Sequence, residues 1–220
     1  MATDRDPDLY PAYGRAERIA DGVMHALGVT FALTGAVLLI TYAALSASGG
    51  QIAAVSVYAT ALIATFIASA CYHLTPWERL RPMLRRVDHA AIFLKIAGTY
   101  TPFVVLIHSA FAYAILAVVW SLALGGALLR LLKRGKLGRI ETWTYLLLGW
   151  LSLLLAWPMI QTLPLPATAL VLAGGLLYTL GVVFFRWESL RFSNAIWHGF
   201  VLAASACFFA AISLGIFAGT

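Results

Sequence analysis

The chain has 220 residues, 62% of them hydrophobic and 11% charged, with a formal net charge of +6. Soluble domains carry roughly a quarter charged residues, so this composition excludes an ordinary soluble fold and makes the lipid bilayer the solvent. The basic residues fall in short breaks between apolar runs, where head groups and topology select them, which argues against a nucleic-acid partner.

Residues 1–22, MATDRDPDLYPAYGRAERIADG, are polar and mixed in charge. They lack the basic start and immediate apolar core of a signal peptide and read as a cytoplasmic N-terminal segment. Residues 23–220 read as one transmembrane domain. A span needs about 20 mostly apolar residues at 1.5 Å each. Seven stretches qualify: Val23–Leu45, Ile52–Leu74, Asp88–Ile107, Ala110–Leu132, Thr142–Gln161, Ala167–Phe185 and Asn194–Ala218. Turn chemistry separates them, as in Ser48-Gly49-Gly50 and Leu163-Pro164-Leu165-Pro166.

Charge alternates along the breaks. Arg5, Arg15 and Arg18 precede the first span. Arg79, Arg81, Arg85 and Arg86 follow the second; Arg130, Lys133, Arg134, Lys136 and Arg139 follow the fourth; Arg186 and Arg191 follow the sixth. The loops after spans one, three and five contain no Lys or Arg. The positive-inside rule then sets the N-terminus in the cytoplasm and the C-terminus outside. The expected fold is an all-α, seven-helix integral membrane bundle.

Small residues supply helix packing: Gly28, Ala32 and Ala36 on span one, Ala203, Cys207 and Ala211 on span seven, and Gly174-Gly175 on span six. Trp143 and Trp197 read as interfacial anchors. Thr99-Tyr100-Thr101-Pro102 marks a proline kink whose freed carbonyl needs a hydroxyl or water. Cys71 and Cys207 lie in apolar runs without a CxxC partner, so no disulfide framework is expected.

Ionisable groups within spans are costly and therefore informative. Glu17, Asp21 and His25 recur every four residues on one face of span one. Ser69 and His73 end span two, Asp88 and His89 begin span three, and Asn194 and His198, four apart, begin span seven. All lie at the cytoplasmic depth. Lys95, seven residues after Asp88, projects from nearly the same face about 10 Å deeper. It either snorkels to head groups or is a buried cation pairing with Asp88 or a lipid carboxylate. His108 sits at the opposite interface.

The segments AERIADGVMHALG, SACYHLTP, VDHAAIFLKIAGTYTPF, TYLLLGWLSL, GGLLYTLGVVFF and NAIWHGFVLAAS together resemble the bacterial hemolysin III proteins, relatives of the eukaryotic adiponectin and progestin membrane receptors. The resemblance runs from Glu17 onward. It implies a zinc ion near the cytoplasmic face, held by the family positions His73, Asn194 and His198, with Ser69 and Asp88 nearby. Here Asn194 replaces a family His, and Asp21 stands where the family has Asn. An amide is a poor zinc ligand, so a three-His site is unavailable at these positions. A two-His, one-carboxylate set of His73, His198 and Asp88 remains, or the metal is gone and Lys95 supplies the positive charge.

By this resemblance the protein regulates membrane lipid state from a bacterial inner membrane. Its partner is a membrane lipid, hydrolysed at an amide or ester with Asp88 as base, Ser69 as orienting group, and Glu17, Asp21, His25, His89 and Lys95 around the pocket. The alternative is a non-enzymatic lipid receptor or homeostasis sensor. A channel is disfavoured because the polar residues stop at one side, and a soluble toxin because seven spans would expose too much apolar surface to water.

Overall fold

The computed structural model describes residues 13–133, 138–187 and 189–218. Among the expected basic residues, Arg5, Arg134 and Lys136 and the side chain of Arg139 lie outside these. The described chain is helical: α1 (Arg15–Ser46), α2 (Gly49–Leu74), α3 (Arg81–Ile107), α4 (Ala110–Leu132), α5 (Gly138–Trp150), a 3-10 turn (Leu151–Leu155), α6 (Ala156–Thr162), α7 (Leu165–Arg186) and α8 (Ser193–Ala218). Among the described residues, seven segments are long and apolar enough to cross a membrane, the fifth running from Ile140 to Thr162 through α5, the turn and α6.

Two helices begin about two turns earlier than hydropathy suggests. α1 starts at Arg15 because Glu17 folds back, its Oε2 accepting from Gly14 N at 2.9 Å, which caps the first turn. α3 starts at Arg81, with Pro82 in the first turn, where its missing N–H costs nothing. The fifth span is not one regular helix. Pro158 cannot donate to the carbonyl four residues back, and the chain tightens to 3-10 geometry just before it. α3, by contrast, continues through Pro102, with the Thr99 and Thr101 hydroxyls bonding the carbonyls of Lys95 (2.8 Å) and Ala97 (3.0 Å).

Helix contacts in a bilayer come from close packing rather than from hydrophobic burial, and the residue distribution follows that rule. Ala32, Ala36, Ala43, Ala97, Ala123 and Ala204 are buried, while large residues such as Leu38, Leu122 and Leu147 face outward. At Gly98 an added Cβ would stand 2.8 Å from the Ala61 Cβ, so a side chain there would push α3 off α2. α1 packs between α2 and α8, and α3 against α2, α4 and α8. This arrangement turns the polar faces of α1, α2, α3 and α8 toward one another.

A second polar contact locks α3, α4 and α5 together. Glu141 Oε1 lies 3.0 Å from Arg130 Nε and 3.0 Å from His89 Nδ1, and Tyr145 donates to it at 2.8 Å and to the His89 carbonyl at 2.9 Å. Arg130, expected in a basic loop, is 1% exposed.

Candidate metal centre

Asp21 and His25, four residues apart on α1, point inward and are both buried. α2 brings His73 from its last turn, and α8 brings Asn194 and His198 from its first two. The centre is therefore assembled at the basic end of the bundle from three helices distant in sequence. The rings of His25, His73 and His198 stand 4.3 to 5.0 Å apart between centroids. Their ligand atoms all fall within 4.8 Å of one another.

Asp21 is the hub. Its Oδ1 lies 2.6 Å from His198 Nδ1, and its Oδ2 accepts from the Asn194 amide at 3.0 Å. His25 Nε2 and His73 Nδ1 stand 3.5 and 3.6 Å from the same Oδ2. A carboxylate of this kind can only accept, so it fixes the direction of the Asn194 NH2. That NH2 also lies 3.0 Å from His73 Nδ1, which must then offer its lone pair. His198, donating from Nδ1, keeps its Nε2 lone pair free. His25 Nε2 is buried and, apart from its 3.5 Å approach to Asp21 Oδ2, has no hydrogen-bond partner among the described residues.

These donors suit a metal. Zinc takes neutral imidazole nitrogens at about 2.0 to 2.1 Å, which puts tetrahedral ligands about 3.4 Å apart. Atoms within 4.8 Å reach that spacing by small side-chain rotations. A carboxylate on the remote nitrogen of a ligating His is the usual supporting contact, and Asp21 makes it to His198. The three-imidazole group thus includes His25, expected at the entrance, in place of the expected Asp88. The cause lies in α1 packing between α2 and α8, which inserts its Asp21/His25 face between their histidines.

The other expected residues are distributed around this centre. Asp88 is buried on α3 beside the Ser69 hydroxyl, outside the three-imidazole group. Glu17 holds the rim: besides capping α1, its Oε1 accepts from Phe192 N at 3.1 Å, tying down the loop before α8. Phe192 has φ 63, a left-handed conformation uncommon for a residue with a Cβ. His89, one residue after Asp88, turns instead to Glu141. Lys95 does not reach Asp88; its ammonium bonds Tyr178 and Ser205. A partly open cavity of about 800 Å³ leads to the centre, lined by Glu17, Asp21, His73, Arg81, Phe192 and Asn194 among others. Sequence reasoning did not single out Tyr178, Ser205, Arg130 or Glu141. The two hydroxyls are uncharged groups in apolar runs, and the two charges flank a loop, where ions are ordinarily solvated.

Comparison with known proteins is consistent with this architecture. The family model described as "Haemolysin-III related" matches residues 15–209. Hemolysin-3 of Bacillus cereus is 33% identical over 194 residues, covering 88% of this chain and 89% of the relative. The Hemolysin-3 homolog of Bacillus subtilis (strain 168) is 33% identical, covering 88% and 91%. The human monocyte to macrophage differentiation factor is 32% identical over 216 residues, covering 92% and 87%. With seven apolar spans and a family match across most of its length, the chain is a multi-pass membrane protein that belongs to the haemolysin-III-related family.

Proposed function

We propose that this protein regulates membrane lipid state from the bacterial inner membrane by zinc-assisted hydrolysis of a lipid amide or ester at the cytoplasmic end of the bundle. The observation that carries the reading is the convergence of His25, His73 and His198 beneath a cavity large enough for a lipid head group. The three imidazoles would hold the ion. An ion held there would supply Lewis-acid polarisation of a carbonyl and make water a stronger nucleophile near neutral pH.

The chain's own residues supply the rest. Asp21 fixes the ring of His198 through Nδ1 and keeps its Nε2 turned to the centre. Asp88, buried on α3, accepts the proton that the attacking water loses as its oxygen bonds the acyl carbon. Ser69 orients that carboxyl. The proton then passes to the departing amine or alkoxide as the C–N or C–O bond breaks. Purified, zinc-loaded protein is expected to cleave a ceramide-like amide or an ester lipid, and Asp88→Asn to abolish the cleavage. Absence of turnover on both lipid classes at full zinc occupancy defeats the hydrolase reading.

One contact favours a second, non-enzymatic reading, a lipid-binding sensor. The Asn194 amide points at the His73 Nδ1 lone pair, so the polar network closes on itself without an ion. Under that reading wild type and His73→Ala alike carry no zinc.

A further inference from the structure

Lys95 is the 15th residue of the 27-residue α3, about 20 Å from either end, and it is 7% exposed. It lies seven residues beyond Asp88, as Phe66 lies seven before His73 on α2 and Ser205 seven beyond His198 on α8. Lys95, Phe66 and Ser205 thus form a layer two turns, about 10 Å, deeper than the three imidazoles. Tyr178 joins them from α7.

The hydrogens in this layer can be followed one by one. Ser205 donates to the Val201 carbonyl at 2.6 Å. Its oxygen accepts from Lys95 Nζ at 2.7 Å and from the Tyr178 hydroxyl at 3.0 Å. Tyr178 in turn accepts from Lys95. Both hydroxyls are then satisfied, and the ammonium retains one N–H with no acceptor among the described residues. The rings of Phe66 and Tyr178, each 5.1 Å from Nζ, contribute their negative faces but no counter-charge. No Asp or Glu among the described residues forms an ion pair with Lys95.

We infer that Lys95, Tyr178 and Ser205 form a binding site for the carboxylate of a fatty acid drawn from the membrane. An uncompensated buried ammonium is costly, and a carboxylate bound to it supplies both the missing charge and the missing acceptor. The location selects the carrier. A group held near mid-bilayer arrives on an apolar chain, which the hydrocarbon accepts, whereas a small hydrated anion must shed its water to reach it. The site stands on its own residues and does not depend on a metal at the histidines.

Equilibrium binding of labelled palmitate to the detergent-purified full chain tests this, with hexadecanol and sodium bromide as competitors. Wild type is expected to bind saturably, Lys95→Met to lose about tenfold or more in affinity, and Lys95→Arg to retain most of it. Hexadecanol, with the same chain and no charge, should compete poorly. Zinc content should be the same in wild type and Lys95→Met, which separates failure here from failure at the histidine centre. Palmitate affinity in Lys95→Met within about twofold of wild type, or hexadecanol competing as well as palmitate, overturns the proposal. Displacement by millimolar bromide assigns the site to a small inorganic anion and overturns it equally.

Discussion

Replacing Asp21 by Ala probes the hub of the histidine centre. The carboxylate lies 2.6 Å from His198 Nδ1, accepts from Asn194 at 3.0 Å and stands within 3.6 Å of the other two imidazoles. Alanine removes the supporting contact to His198, and loss of such a contact typically weakens metal affinity 10- to 100-fold, or about 1.4 to 2.7 kcal/mol. It also strands two donors, the Asn194 amide and His198 Nδ1, in a buried setting, at about 1 to 3 kcal/mol each. Zinc affinity by competition with a chromophoric chelator and thermal unfolding in detergent report the two effects separately. Asp21→Asn, which keeps the shape and one acceptor oxygen, should restore much of the stability but not the zinc affinity. If Asp21→Ala binds zinc within about twofold of wild type, Asp21 is not a supporting group and the reasoning fails.

Two further outcomes follow from the same geometry. Asn194→His exchanges the amide that occupies the His73 lone pair for a fourth imidazole, and zinc affinity should rise; an unchanged or lower affinity measured by the same competition would show that the amide does not hinder loading. Glu141→Ala removes the carboxylate that lies 3.0 Å from the buried Arg130 Nε and accepts from Tyr145, which should cost about 1 to 3 kcal/mol and lower the melting temperature; a melting temperature equal to wild type would contradict the lock between α3, α4 and α5.

The spans and their charge alternation were legible because hydropathy and the placement of Arg and Lys act along the chain, and both are written in it directly. The i, i+4 faces carrying Asp21/His25 and Asn194/His198 were legible for the same reason. Helix periodicity fixes which residues share a face but not how far each helix rotates about its axis, nor which faces meet. That is why His25 appeared at the entrance and Asp88 in the ligand set, whereas the packing of α1 between α2 and α8 brings His25 to the other two histidines. The Lys95 partners were hidden for a related reason: Tyr178 and Ser205 are uncharged hydroxyls in apolar runs, and only the approach of α7 and α8 to α3 gives them meaning. The break at Pro158 was readable in principle from its missing N–H, but hydropathy averages over it.

The most direct test of the account is the zinc content of purified protein, with anomalous scattering to locate the ion, in wild type and in His25→Ala, His73→Ala and His198→Ala. The account predicts one zinc per wild-type chain, among the three imidazoles, and its loss in each variant, His25→Ala included. A wild-type chain that takes up no zinc, or a His25→Ala chain that holds it as tightly as wild type, contradicts it.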